Sequence, residues 1–152
     1  MSTAASAVEV PSSRYVIRVR FGETDLMGIA HHSSYLLWFE AARVEYLRRR
    51  GVDYGDFVRR GVNLPVIEAG LRYRRAARFD ERLVVEARVS ELSGATVRFD
   101  YRVFREADGE LLTEGHTTLA CVDDAHRPRR IPSDVRELLM SPERAPRELD
   151  RV

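Results

Sequence analysis

A chain of 152 residues with a formal net charge of +1 has room for one packed core and no bulk electrostatic reason to hold a nucleic acid. All 25 basic residues are arginine, which excludes lysine Schiff-base chemistry, and the single cysteine, Cys121, excludes an intrachain disulfide scaffold. No run approaches transmembrane length and no basic-then-apolar leader opens the chain, which predicts a cytoplasmic protein without membrane insertion.

In chain order, residues 1–13 are small and polar with Pro11 and read as a flexible leader; one domain is expected over 14–140. From Arg14 the sequence RYVIRVRF alternates. Tyr15, Ile17, Val19 and Phe21 fall on one side and mostly arginines on the other, the period of a half-buried strand. A loop over 22–30 holds Gly22, Asp25 and Gly28 and leads into a helix predicted to begin near residues 31–34, where the serines are candidate caps, and to end before Gly51. Tyr35, Trp38, Phe39, Ala42 and Tyr46 make one apolar stripe, and Leu36, Leu37, Ala41, Val44 and Leu47 fill much of the rest. Glu40 and Arg43 interrupt the apolar half at a spacing that allows an ion pair, so Glu40 is read as structural before catalytic. Arginines 48–50 close the helix where its dipole favours cations, and a short helical turn is expected over 53–60.

Beyond Gly61 four strands are expected, over 64–75, 82–92, 96–105 and 110–122. Ser93-Gly94 and Asp108-Gly109 supply tight-turn residues between them, which predicts an antiparallel meander. A last helix is expected over 133–140 after Pro132, and residues 141–152 form a charged, proline-bearing tail. The fold class is therefore α+β, a five-stranded antiparallel sheet wrapped around one long central helix. One such layer leaves helix and sheet edges exposed, so a homodimer or homotetramer is expected.

The chemistry concentrates between Asp25 and the helix. Free N–H groups at a buried helix N-terminus stabilise negative charge on a polarised carbonyl, and a nearby carboxylate can act on it. Capping is the competing use of an Asp in such a loop. His31 and His32 are adjacent, so their side chains diverge, and no third ligand stands at a metal-like spacing; no metal is expected. Cys121 lies in an apolar run and reads as a buried inert thiol, and His116, inside a strand, as a core or interface histidine.

Asp25, Gly28, Ile29, Ala30, His32 and Tyr35, followed by Phe39, Glu40 and Arg43, meet the pattern acid-x-x-Gly-apolar-apolar-x-[His/Tyr]-x-x-Tyr with an aromatic-Glu-x-x-Arg helix. The chain thereby resembles the hot-dog-fold acyl-CoA thioesterases, in the branch of 4-hydroxybenzoyl-CoA thioesterase and the Tol-Pal-associated enzymes. The resemblance continues through LPVIEAGLRYRRAARFDERLVV and GHTTLACVDDAHRPRRIP and covers residues 14–139. It implies that Asp25 is the catalytic nucleophile or general base, that the His32 backbone amide polarises the thioester carbonyl, and that Gly28 lets the loop approach the substrate. It also implies an acyl-CoA substrate with no separate cofactor, Tyr35 in the substrate site, and arginines to meet the phosphates of coenzyme A, with Arg74, Arg75, Arg127, Arg129 and Arg130 as candidates. An acyl carrier-protein thioesterase, a hot-dog dehydratase or hydratase, and a non-catalytic acyl-CoA binder are the alternatives.

Overall fold

The computed structural model describes residues 10–144. Strand β1 (Ser12–Arg18) leads through a 3-10 turn (Phe21–Glu23) to helix α1 (Ser34–Arg48) and the short helix α2 (Tyr54–Arg59). Strands β2 (Val66–Tyr73), β3 (Arg82–Leu92), β4 (Thr96–Arg105) and β5 (Leu111–Ala120) follow, and α3 (Ser133–Leu139) is the last element among the described residues. Regular structure begins at Ser12, two residues before the expected start. Of the leader and tail expected over 1–13 and 141–152, residues 1–9 and 145–152 lie outside the described residues.

All pairings are antiparallel, in the order β1-β3-β4-β5-β2. The expected meander holds for β3, β4 and β5 only. Strand β2 does not neighbour β3 but lies at the far edge against β5, because residues 74–81 cross over as a connector instead of turning back as a hairpin. Of the two hairpin glycines, Gly109 takes a positive φ of 72° and Gly94 does not. At that first turn the Ser93 hydroxyl accepts the Thr96 N–H at 3.0 Å, which closes it without a left-handed residue.

The period-two pattern of β3 and β4 has its physical cause in the core. Leu83, Val85, Ala87 and Val89 on one strand and Val97, Phe99, Tyr101 and Val103 on the next are all buried on the helix side. The opposite face carries the arginines. Across the five strands the register sets Arg14, Glu86, Arg102, Glu114 and Arg72 in one row of alternating sign. Glu86 takes Arg102 at 2.6 Å and Arg14 at 3.4 Å.

Helix α1 buries Tyr35, Trp38, Phe39, Ala42, Tyr46 and Leu47 and leaves Leu36, Leu37 and Val44 exposed. One sheet covers one side of a helix, so the second apolar stripe has no cover among the described residues. Close approach to the sheet depends on Gly115, where a Cβ would stand 2.5 Å from Phe39 Cε2. Phe39 also stacks on Tyr101, the residue paired with Gly115 in the sheet, at 4.3 Å between centroids. The ion pair expected between Glu40 and Arg43 does not form; Arg43 Nη1 instead donates to the Tyr101 hydroxyl at 3.1 Å.

Candidate active site

Asp25 sits in a tight hairpin. Its N–H donates to the Ile29 carbonyl at 2.9 Å, the Gly28 N–H donates to the Asp25 carbonyl at 3.0 Å, and a bridge between Thr24 and Ala30 closes the turn. Gly28 makes this possible with a φ of 76°, which a side chain would strain. The half-buried Asp25 carboxylate accepts the Met27 N–H at 2.8 Å through Oδ1. That bond fixes one oxygen within the turn.

Three tethers hold the hairpin against the rest of the protein. The Ala30 N–H donates to the carbonyl of Ala77, a fully buried residue of the β2–β3 connector, at 2.8 Å. The His31 N–H donates to the Glu23 carbonyl at 2.7 Å, and the Ser34 hydroxyl to the same carbonyl at 2.9 Å. Finally, the buried Glu23 carboxylate accepts the Trp38 indole N–H at 2.7 Å and the Arg20 N–H at 2.7 Å. Neither Glu23 nor Ala77 stood out in the sequence; the only signal for Glu23 was its place two residues before Asp25.

The start of α1 differs from the capping expected there. Ser33 occupies the cap position without a capping side-chain bond. Its N–H donates to His31 Nδ1 at 3.2 Å, and its hydroxyl meets the same nitrogen at 2.7 Å. Among the described residues the His32 N–H donates to nothing. The His32 carbonyl accepts the Tyr73 hydroxyl of β2 at 2.8 Å, a contact that fixes the peptide from the sheet side. The His32 ring is exposed and lies 4.1 Å from that of His31. Tyr35 is buried beneath, its ring 5.2 Å from that of Tyr73, and burial pushes its phenol above the ordinary range.

A second feature lies along the C-terminal half of α1. A cleft of about 420 Å³ opens between α1, α2 and the ends of β4 and β5. Val44, Leu47, Phe57, Phe99 and Leu119 give it apolar walls, with Glu40, Arg43 and Tyr54 as polar lining. Burial pushes the Tyr54 phenol up, and the charge of Arg43 pulls against that shift.

The candidate arginines do not converge within one chain. Arg74 pairs with Glu114 at 2.5 Å and Arg75 with Glu110 at 3.2 Å, at the end of β2 that approaches His32. Arg127, Arg129 and Arg130 follow the opposite end of β5, roughly 25 Å along the strand. Arg127 pairs with Asp123, Arg129 donates to the carbonyls of Arg60 and Gly61, and Arg130 is exposed without an ion pair among the described residues. His116 pairs with Glu68 at 2.9 Å, and Cys121 is fully buried, its thiol pushed up by that burial. Among the described residues no group of three or more His, Cys, Asp or Glu could hold a metal ion, and no helix is long and apolar enough to cross a membrane.

A family model described as the thioesterase-like superfamily matches residues 19–139. The acyl-CoA thioesterase YbgC of Haemophilus influenzae is 33% identical over 124 residues, 80% of this chain and 90% of that protein. Among solved structures, the hypothetical protein TT1821 of Thermus thermophilus is 46% identical with a TM-score of 0.78, over 84% of this chain and 96% of its own. The DHNA-CoA thioesterase of Staphylococcus aureus is 33% identical with a TM-score of 0.79, over 84% of this chain and 87% of its own.

Proposed function

Because the chain belongs to the thioesterase-like superfamily, we propose that it hydrolyses acyl-CoA thioesters to a free acid and coenzyme A, with Asp25 and the His32 amide as the working groups. The observation that carries this reading is an N–H at the start of α1, without an acceptor among the described residues, that follows a hairpin holding one carboxylate. A thioester carbonyl oxygen at that N–H gains a preorganised donor and the positive end of the helix dipole. Asp25 then removes a proton from a water whose oxygen attacks the carbonyl carbon, or attacks that carbon itself to give an anhydride that water opens. Either way the C–S bond breaks, the sulfur leaves with the bonding pair and is protonated, and one water is consumed.

The acyl group lies in the cleft of a second copy. The cleft of the same chain runs beside residues 40–47 of α1, about 10 to 20 Å from its N-terminus, so Asp25 and the cleft of one chain are set apart. Strand β2 is the edge through which two copies join: Val66, Ile67 and Tyr73 are exposed and its outer side has no strand partner among the described residues. Coenzyme A phosphates then meet arginines of both ends, with Arg130 the candidate whose guanidinium has no partner among the described residues.

Thiol release from a panel of acyl-CoA and acyl carrier-protein thioesters tests the proposal. Asp25→Asn is expected to lower kcat/KM by about a hundredfold or more with an unchanged circular dichroism spectrum. Wild-type rates in that variant would remove Asp25 from the mechanism, and no thiol release from any thioester would remove the hydrolase reading.

A further inference from the structure

We propose that Arg43 receives a carboxylate at the far end of the acyl chain, so that the preferred substrates are coenzyme A monothioesters of dicarboxylic acids; the inference rests on the acyl-CoA hydrolase reading, with the acyl group in the cleft. A guanidinium offers five N–H donors and no acceptor. Of those of Arg43, the one hydrogen bond among the described residues goes from Nη1 to the Tyr101 hydroxyl at 3.1 Å. No carboxylate among the described residues stands within ion-pair distance of it, Glu40 one turn earlier included.

That isolation separates Arg43 from Arg102 and Arg98 of the outer sheet face. There Arg102 holds Glu86 at 2.6 Å and Arg98 holds Asp100 at 2.9 Å, so those charges are already balanced. Arg43, half-buried, instead borders apolar walls, where pairing with an opposite charge is worth more than in open water. Its position is also fixed from below. The Tyr101 hydroxyl that it contacts is bonded to the Thr117 hydroxyl at 2.6 Å and is 1% exposed, and the Tyr101 ring stacks on Phe39 at 4.3 Å. A cation held by a buried hydroxyl pair, with its other donors unpartnered among the described residues and apolar walls beside it, has the attributes of a binding group.

The chemistry of the fork selects the ligand. Free guanidinium donors need acceptor oxygens, and a carboxylate meets two of them at once. Glu40 lines the same cleft but is exposed, so its charge is hydrated and screened. The cleft volume is within the range of small-molecule sites.

The experiment compares matched pairs of substrates by thiol release: butyryl- against succinyl-CoA, hexanoyl- against adipyl-CoA, and octanoyl- against suberyl-CoA. For the wild type, kcat/KM is expected to favour the diacid about tenfold or more at one chain length, expressed mainly in KM. In Arg43→Met that ratio is expected to fall by about the same factor, and in Arg43→Lys, which keeps charge without the fork, to fall part of the way. A ratio within one preparation does not depend on how much of a variant folds. No diacid preference at any length in the wild type, or an unchanged ratio in Arg43→Met, overturns the inference while leaving the hydrolase reading intact. Absence of thiol release from all six thioesters overturns the hydrolase reading and the inference with it.

Discussion

Tyr46 joins three segments through one side chain. Its hydroxyl donates to the Leu139 carbonyl of α3 at 2.5 Å, its ring meets Phe99 of β4 edge-on at 5.3 Å, and the Arg50 guanidinium lies over it at 3.4 Å. Arg50 is itself fully buried and donates to Ser141, Ser13 and Tyr46, which ties β1, α1 and the end of α3 together. Burial pushes the Tyr46 phenol up to about 12. Above pH 10 the unfolded phenol loses its proton while the folded one keeps it, so the unfolded state binds fewer protons and stability falls as pH rises from 10 towards 12. The expected slope from this residue is at most about 1.4 kcal/mol per pH unit, present in the wild type and reduced in Tyr46→Phe. Urea midpoints measured between pH 8 and pH 11 check it; equal slopes in both proteins would refute it. Tyr35, Tyr54 and Tyr101 are shifted in the same direction, so the variant retains part of the slope.

At the scale of elements, the seat of α1 on the sheet is set by a missing side chain. Gly115→Ala would place a methyl 2.5 Å from the Phe39 ring and 2.8 Å from the Gly70 carbonyl, one an inflexible ring and the other backbone. The expected cost is about 1–3 kcal/mol of stability, read from thermal or urea unfolding. Gly22→Ala is the matched control, since nothing lies within 4 Å of its added carbon and no loss is expected.

The same elements show what the sequence made legible. Strands β3 and β4 were readable to their ends because one face meets the core and the other meets water, which writes period two into the residues. Strand β2 was misplaced because it is exposed along most of its length, so no alternation marks it and its partner β5 lies forty or more residues away in sequence. In the candidate site, Gly28 and Asp25 were readable as a turn because their partners are local. The Trp38–Glu23 and Tyr73–His32 bonds join residues 15 and 41 positions apart, and no local rule reports such pairs. The expected Glu40–Arg43 pair followed from spacing alone and lost to Tyr101, which only the folded sheet brings within reach.

At the scale of the molecule, an exposed β2 edge, an exposed stripe on α1 and a cleft remote from Asp25 are consistent with a site shared between copies. Two defective chains should then complement each other. Asp25→Asn removes the carboxylate, and Val58→Trp fills the cleft from its exposed wall. Each homo-oligomer is expected to be nearly inactive. Mixed oligomers made by co-expression regain roughly half of a wild-type dimer's thiol release, because one of the two sites has both parts intact. A mixture as inactive as its components would place the whole site within one chain.

The bond between Glu23 and Trp38 has a spectroscopic consequence. The chain contains one tryptophan, and its indole N–H is held by the carboxylate that anchors the Asp25 hairpin. Indole emission responds to the charge and mobility of such a neighbour. Intrinsic fluorescence therefore watches the Asp25 turn from inside the fold, without a dye and without interference from a second fluorophore of the same kind.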